Sequence, residues 1–229
     1  MFFVPDSGTE DGSMIEVAEK SILWMKVITS GRQCHASRPA LGINAFKAAS
    51  ELITRYQKLY KSFPKKDRLY EPPLSTFEPT KKENNVPNIN TLPGSDVFYM
   101  DCRVLPGYPL GEVKAEMRRL AGEVEKKFGV TVSFEPQQEA QAAPPTNPKA
   151  PIVLALKKAV KEVLGVKPKA YGIGGGTVAA FFRRLRLPAV VYSRLNETAH
   201  MPNEYCVIDH MMGDAKVFAV AALLLCKKK

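Results

Sequence analysis

Apolar residues follow two different rhythms along this chain, and the change comes near residue 136. Ser21 to Ser30 (SILWMKVITS) is a short, apolar and β-branched run, which predicts a strand. Ile43, Phe46, Ala49, Ile53, Tyr56 and Tyr60 recur at helical spacing, so a helix is expected over Ile43–Tyr60, with Asn44 early in it. Leu74–Pro79 and Val97–Leu105 read as strands. Leu110–Phe128 places Val113, Met117, Leu120, Val124 and Phe128 on one helical face and stops at Gly129, a C-terminal glycine signal. Val130–Glu135 alternates as a last strand. The order is β-α-β-β-α-β, the ferredoxin-like arrangement.

Pro136–Pro151 is rich in Pro, Gln, Ala and Asn and reads as a linker or crossing loop. Beyond it helices and strands alternate. Ile152–Leu164 is an amphipathic helix, Lys169–Gly172 a short strand, and Thr177–Arg186 a helix. Ala189–Ser193 is a buried strand, and Asp209–Leu225 a helix with Asp209 as its N-cap. This part is α/β with a three-layer look. The chain opens on Phe2–Pro5, already a core strand, followed by the turn-rich Ser7–Gly12, as if the sequence were entered in mid-domain.

A length of 229 residues suits one large domain or two small ones. No stretch approaches the roughly 18–20 apolar residues of a membrane span, and the start lacks the basic and apolar regions of a signal peptide. Cys34, Cys102, Cys206 and Cys226 are far apart and form no CxxC pair, so reduced thiols in a cytoplasmic setting are expected. The net charge of +10 raises nucleic acid as a partner. The excess lysines are scattered over helix faces, loops and the tail, however, with no nucleic-acid-binding motif beside them, so a solvated surface is expected. Lysine-rich helices also fit a thermophile surface.

Several positions carry candidate chemistry. Gly172-Ile173-Gly174-Gly175-Gly176-Thr177 sets three further glycines and a Thr between a strand and a helix. It either lets backbone amides and the Thr177 hydroxyl approach an anion, or is a tight turn. His200, with Glu204 four residues on, lies between a buried strand and a helix and is a metal-type ligand or a structural loop histidine. Asp6 at a strand exit is either a metal ligand or a turn Asp bonded to its own loop. His35 directly follows a strand, and either polarises a carbonyl or is a surface residue. Asp101 and Arg103, two apart, share a strand face. Arg103 pairs with a protein carboxylate or grips a ligand carboxylate.

In this order the motifs resemble the zinc-dependent amidohydrolase and exopeptidase family of succinyl-diaminopimelate desuccinylase, acetylornithine deacetylase, carboxypeptidase G and the aminoacylases. Pro5-Asp6 is similar to the family's loop with a metal-binding carboxylate, and Gly31 to Pro39 to its G-x-x-x-H-[AS]-S-x-P signature. Val86 to Gly94 with Asp101-Cys102-Arg103 resembles its "N-x-I-P … D-x-R" pair. Gly175-Gly176-Thr177 is similar to its glycine-Thr loop, and Ala199 to Glu204 to its "H-x-P-[ND]-E" segment.

The resemblance implies a three-layer α/β catalytic domain in two pieces, residues 1–20 and 137–229, with a ferredoxin-like lid and dimerisation domain inserted at 21–136. It implies Asp6 and His200 as metal ligands. His35 would reach a neighbouring subunit's site and stabilise an oxyanion. Asn90 and Arg103 would hold a substrate carboxylate, with Gly176 and Thr177 helping. The cofactor would be zinc, two per complete site with cobalt or manganese as substitutes, activating a bridging water. The substrate would be an N-acyl amino acid or small peptide, and the assembly a homodimer through the lid, without nucleic acid or membrane.

Two features depart from the pattern. No H-x-D, bridging Asp or Glu-Glu pair stands before Asp6, and Val178-Ala179-Ala180 follow Thr177 where an acid is common. The expectation is therefore the C-terminal portion of such an enzyme, with a missing N-terminal half lost or supplied by another chain. Alone, the chain would bind metal weakly or not at all and be inactive. The alternative is a non-catalytic dimerisation or interaction module.

Overall fold

The computed structural model describes residues 1–196, 198 and 201–226. In chain order its strands are β1 (Phe2–Val4), β2 (Met14–Glu19), β3 (Ser21–Ser30), β4 (Cys34–His35), β5 (Thr76–Lys82), β6 (Thr91–Leu92), β7 (Ser95–Val104), β8 (Thr131–Ala140), β9 (Lys169–Ile173) and β10 (Ala189–Val191). Its helices are α1 (Ala45–Tyr56), α2 (Leu59–Ser62), α3 (Leu110–Phe128), α4 (Pro151–Leu164), α5 (Ala179–Arg184) and α6 (Ile208–Cys226). The chain divides into two compact units. An α/β unit comprises Met1–Lys20, Arg68–Glu71 and Ala142–Lys229; a ferredoxin-like unit comprises Ser21–Asp67 and Pro72–Gln141.

In the ferredoxin-like unit a four-stranded antiparallel sheet runs β5-β7-β3-β8. Strand alternation sorts its two faces. Leu23, Met25 and Val27 of β3 and Phe98, Met100 and Cys102 of β7 are buried, whereas Trp24, Tyr99, Asp101 and Arg103 sit at the opposite parity. Leu52 and Tyr56 of α1 and Val113, Met117 and Leu120 of α3 complete the core. Each fully buried Leu or Met there contributes about 1.5–3 kcal/mol. Asn44 caps α1, its side-chain oxygen accepting from the Lys47 amide at 3.0 Å.

Element boundaries in this unit differ from the sequence reading, two of them with a physical consequence. The helix expected over Ile43–Tyr60 breaks after Tyr56 and resumes as the short α2. The strand expected to end at Glu135 runs on to Ala140, through the start of the expected linker. Pro136 is accommodated because β8 is an edge strand and its register against β3 shifts there, so the missing proline N–H breaks no regular ladder.

In the α/β unit a mixed sheet runs β1-β10-β2-β9, with β1 parallel to β10 and β2 parallel to β9. Phe2 stacks on Phe182 of α5 at 3.8 Å, and Phe3 meets Phe218 of α6 at 5.5 Å. Adjacent strand residues point to opposite faces, so α5 and α6 cover opposite sides of the sheet, giving three layers. The helix expected over Thr177–Arg186 is the shorter α5, and α6 begins at Ile208. Asp209 thus lies in the first turn rather than at the N-cap, where its charge still suits the helix dipole. Among the described residues no helix is long and apolar enough to cross a membrane.

The segment Arg68–Glu71 docks on β9. The Gly172 amide donates to the Leu69 carbonyl at 2.6 Å, and the Tyr70 hydroxyl to the Glu19 carbonyl at 3.4 Å. A Cβ at position 172 would lie 2.3 Å from the Tyr70 ring, so this glycine is required by close approach.

Candidate functional site

Three clusters carry the candidate residues. The first lies at one end of the ferredoxin-like sheet. The Gly31 amide donates to the Gly94 carbonyl at 2.7 Å, and both glycines stand where a Cβ would strike backbone. That contact brings two sequence-distant turns together, and β4 pairs with β6, His35 opposite Thr91. The Ala36 amide donates to the Asn90 carbonyl at 2.8 Å, which places His35 and Asn90 on one exposed ribbon. His35 Nδ1 accepts the Ser37 amide at 3.2 Å and lies 2.7 Å from the Ser37 hydroxyl. A backbone N–H can only donate, so Nδ1 is the acceptor and the neutral ring carries its proton on Nε2. The ring thereby offers an N–H donor from an exposed residue. Ala36, Asn88, Ile89 and Thr91, the flanking residues, line a cleft of about 1060 Å³.

The second cluster is Arg103 on β7. Its Nε donates to Asp101 Oδ1 at 2.6 Å and its Nη2 to Oδ2 at 2.9 Å, and the guanidinium lies 5.6 Å from the Trp24 ring. Arg103 is thus paired with a carboxylate of its own strand. Arg103 faces Ile22 in the ladder, whereas Ser95, nearer the His35 ribbon, faces Ser30. Eight residues of strand at about 3.3 Å each separate those positions by roughly 26 Å. One chain therefore brings His35 and Asn90 together but holds Arg103 apart from them.

The third cluster surrounds the glycine loop of the α/β unit. Thr177 donates its amide (2.8 Å) and its hydroxyl (2.6 Å) to Glu19 Oε1, and its hydroxyl oxygen accepts the Ala179 amide at 3.2 Å. In this structure the Thr177 amide and hydroxyl meet a carboxylate of the chain itself. A Cβ at Gly174 would meet open space and one at Gly175 only an ordinary contact with Ile173 at 3.9 Å, so no neighbouring atom requires their being glycine. Beneath the loop Arg183 is buried. Its Nη1 lies 2.6 Å from Glu16 Oε1 and 3.7 Å from Glu19 Oε1, and it also donates to the Ala189 carbonyl. Two carboxylates share one guanidinium. Burial, helped by Glu19 and Asp6 and opposed by Arg183, pushes the Glu16 carboxyl up to about 7. Its Oε2 has no hydrogen-bond partner among the described residues.

The sequence analysis missed this network and Asp214. Asp214 accepts the Ser193 hydroxyl at 3.0 Å and the Arg194 amide at 2.8 Å, fixing the chain as it leaves β10. A signal existed for each. Glu16 and Glu19 interrupt an apolar run, and Asp214 stands in a largely apolar helix beside Lys216.

Asp6 is exposed in a turn just beyond β1, and in the loop that follows Asp11 accepts from Thr9 at 2.7 Å and Ser13 at 2.9 Å. Those bonds hold the Asp11 carboxyl below its ordinary value. His200 lies outside the described residues. Among the described residues no three His, Cys, Asp or Glu side chains gather to hold a metal ion, and a protein site normally needs three or four ligands. The described donors therefore do not make a complete metal site.

Residues 17–128 match the family model described as a peptidase dimerisation domain of the M20 type. An uncharacterised metallohydrolase of Methanocaldococcus jannaschii is 39% identical over 230 residues, covering 95% of this chain and 55% of its own. A succinyl-diaminopimelate desuccinylase of Alteromonas mediterranea is 22% identical, covering 97% of this chain and 56% of its own. Aminopeptidase PepT of Bacillus cereus superposes with a TM-score of 0.78 at 18% identity over 98% of this chain and 57% of that one, a likeness of fold. The chain spans about half the length of the curated relatives it matches. Residues 17–128 are thus similar to a peptidase dimerisation domain of the M20 type, and the chain as a whole is similar to metallohydrolases over 95% of its length.

Proposed function

We propose that this chain supplies the dimerisation domain and part of the catalytic α/β unit of a metal-dependent hydrolase acting on the amide bond of N-acyl amino acids or small peptides. The observation that carries the reading is the β4–β6 ribbon, which aligns His35 and Asn90 and leaves the His35 Nε2–H as a donor. A donor so placed suits a carbonyl oxygen that gains charge during amide hydrolysis. Asn90 and Arg103 suit a substrate carboxylate, and Gly176 with Thr177 suits close backbone contact. Arg103 lies eight strand residues, roughly 26 Å, from Ser95 at the ribbon end of β7, too far for one small substrate. A homodimer answers this, with each site drawing His35 and Asn90 from one subunit and Arg103 from the other. In this reading Asp6 and His200 are metal donors and zinc is the metal. Two donors fall short of a full ligand set, so the chain alone is expected to bind metal weakly and turn over slowly or not at all. The setting is cytoplasmic.

The test is hydrolysis of N-succinyl and N-acetyl amino acids and of dipeptides, with zinc, cobalt or manganese. The chain is assayed alone and together with the portion of the M. jannaschii relative that it does not span. Activity in the complemented sample, reduced at least a hundredfold by His35→Ala, is the expected result. Failure of every such substrate in a complex shown to have formed rejects the reading. The chain would then be a dimerisation module without catalytic work.

A further inference from the structure

Both edge strands of the ferredoxin-like sheet break register at the same level. The pairing of β5 with β7 shifts between Pro79 and Lys81, which leaves Thr80 outside the ladder. The pairing of β8 with β3 shifts between Trp24 and Met25, which leaves Gln137 outside it. The two shifts flank one row across the sheet, Pro79–Met100–Met25–Pro136. The proline beside each shift explains why the ladder can break there, but not why both breaks fall on one row. A bulge re-aims its extra residue, and bulges gather beside binding sites.

Met25 and Met100 send their side chains into the core, at 2% and 1% exposure, so the open face at that row is bare backbone. The rows on either side supply walls. Trp24 faces Asp101 in the ladder, and Tyr99 faces Lys26. Trp24 and Tyr99 are therefore diagonal neighbours, about 7–8 Å apart at the backbone. Trp24 is exposed and Tyr99 half-buried, and among the described residues neither ring packs against another aromatic ring. Carbon surfaces in contact lie about 3.5–4 Å apart, so a planar ring inserted between two others needs about 7–8 Å. Here that gap opens into a pocket of about 370 Å³, lined by Trp24, Thr80, Lys81, Tyr99, Asp101 and Gln137. The volume lies within the range of small-ligand pockets, roughly 300–1,000 Å³.

The polar groups around the slot narrow the ligand. Thr80 and Gln137, the two residues displaced from the ladder, both line it. Lys81 Nζ lies 4.8 Å from the Tyr99 ring, and the Arg103 guanidinium 5.6 Å from the Trp24 ring. Arg103 stands on the side of Trp24 away from Tyr99 and is held by Asp101, itself a wall of the pocket. A guanidinium suited to a carboxylate thus borders a slot suited to a ring. An aliphatic side chain would occupy the slot without the stacking that two aromatic walls offer a ring.

We infer that this slot is a recognition pocket for a planar aromatic side chain, entering between Trp24 and Tyr99. The preferred substrates are then N-acyl amino acids with an aromatic side chain, whose carboxylate lies at Arg103. The substrate assignment rests on the proposed function, whereas capture of the ring is a binding property of this chain and is tested as such.

Trp24 is the single tryptophan, so its emission reads the pocket directly. N-acetyl-L-phenylalanine, added to the whole chain, should change that emission saturably in the millimolar range. N-acetyl-L-leucine and N-acetyl-L-phenylalanine amide, which lack the ring and the carboxylate respectively, should each bind at least tenfold more weakly. Tyr99→Ala, and independently Trp24→Leu read by calorimetry, should each weaken N-acetyl-L-phenylalanine at least tenfold. Trp24 is 40% exposed, so the second variant should keep the parent's far-UV melting curve. No saturable response, equal affinity for the phenylalanine and leucine derivatives, or full binding by both variants overturns the pocket. Equal binding of the amide removes Arg103 from the site and overturns the substrate assignment. Aromatic-selective binding in a complemented protein that hydrolyses no N-acyl amino acid supports the pocket while rejecting the functional reading. Hydrolysis of the phenylalanine and leucine derivatives with equal kcat/KM does the reverse.

Discussion

Thr177 gives both its backbone N–H and its hydroxyl to the same oxygen of Glu19, at 2.8 and 2.6 Å. The end of β2 thereby holds the glycine loop by two hydrogen bonds to a charged group. Such bonds are worth about 1.5–3 kcal/mol each, and breaking them leaves a buried carboxylate short of donors. Thr177→Val removes one bond while keeping the shape, and should cost roughly 2 kcal/mol in urea unfolding. Thr177→Ser keeps both bonds and should cost less than 1 kcal/mol, mainly lost methyl packing. Equal losses in the two variants would show that the hydroxyl does not hold the loop.

The same carboxylate affects its neighbour. Glu16 rises from an ordinary 4.5 to about 7, chiefly through burial, with the Glu19 charge adding to the rise. A carboxyl whose folded value is raised binds its proton more tightly in the folded state. Its contribution to stability is therefore full below about pH 4.5 and is lost as the pH climbs through about 7. The upper limit is roughly 3 kcal/mol, at 1.36 kcal/mol per pH unit. Glu16→Gln should flatten this slope, and Glu19→Gln should move it to lower pH. The paired carboxyls of the ferredoxin-like unit, Glu116 and Glu125, lie below their ordinary value, so that unit should lose stability in the opposite direction, on acidification below pH 4.5. Trp24, the one tryptophan, lies in the ferredoxin-like unit, so fluorescence reports that unit alone while far-UV circular dichroism sees both. A neutral-pH slope that appears in fluorescence, or survives in Glu16→Gln, would assign it to another group.

This network also marks where sequence reasoning stops. The ferredoxin-like order is legible because β3 and β7 alternate buried and exposed residues and α3 repeats apolar residues at helical spacing, patterns set by local geometry. β2 is not legible. Its buried positions include Glu16 and Glu19, which read as polar interruptions until Arg183, 167 residues away, is brought against Glu16. The two motifs holding His35 and Asn90 can each be recognised alone. Their meeting depends on the Gly31–Gly94 contact, which no periodicity encodes. The separation of Arg103 from both depends on strand register, which is equally invisible before folding.

The glycines of the loop divide into two kinds. A methyl at Gly172 would lie 2.3 Å from the Tyr70 ring, whereas one at Gly174 meets nothing within 4 Å. Gly172→Ala should therefore cost about 1–3 kcal/mol as an overpacked site. Much of that loss should be recovered in Gly172→Ala with Tyr70→Ser, because the two residues are in direct contact and their effects will not add. Gly174→Ala should leave unfolding within about 0.5 kcal/mol of the parent, because its φ is not positive and its Cβ would meet nothing. If Gly174→Ala nevertheless weakens substrate binding in the complemented hydrolase, the open space at that position is for a ligand. If it destabilises the chain as much as Gly172→Ala, the loop glycines share one structural cause.

His35 offers the sharpest separation of structure from chemistry. Its Nδ1 accepts the Ser37 amide at 3.2 Å, with the Ser37 hydroxyl 2.7 Å away, which fixes the neutral ring as the Nε2–H tautomer. Two-bond nitrogen–proton couplings on histidine-labelled protein with neutral imidazoles should show that tautomer predominating at His35. Ser37→Ala removes the hydroxyl but keeps the amide donor, so the preference should weaken without reversing. Both variants of the ring follow from the same geometry. His35→Gln can place an amide N–H near the Nε2 position and should retain part of any hydrolysis by the complemented dimer, whereas His35→Ala should lose about two to three orders of magnitude. Because His35 is exposed, neither change should alter stability by more than about 0.5 kcal/mol. A predominant Nδ1–H tautomer, or equal activity in the Gln and Ala variants, would remove the Nε2 donor from the reaction and leave His35 as a surface residue of the ribbon.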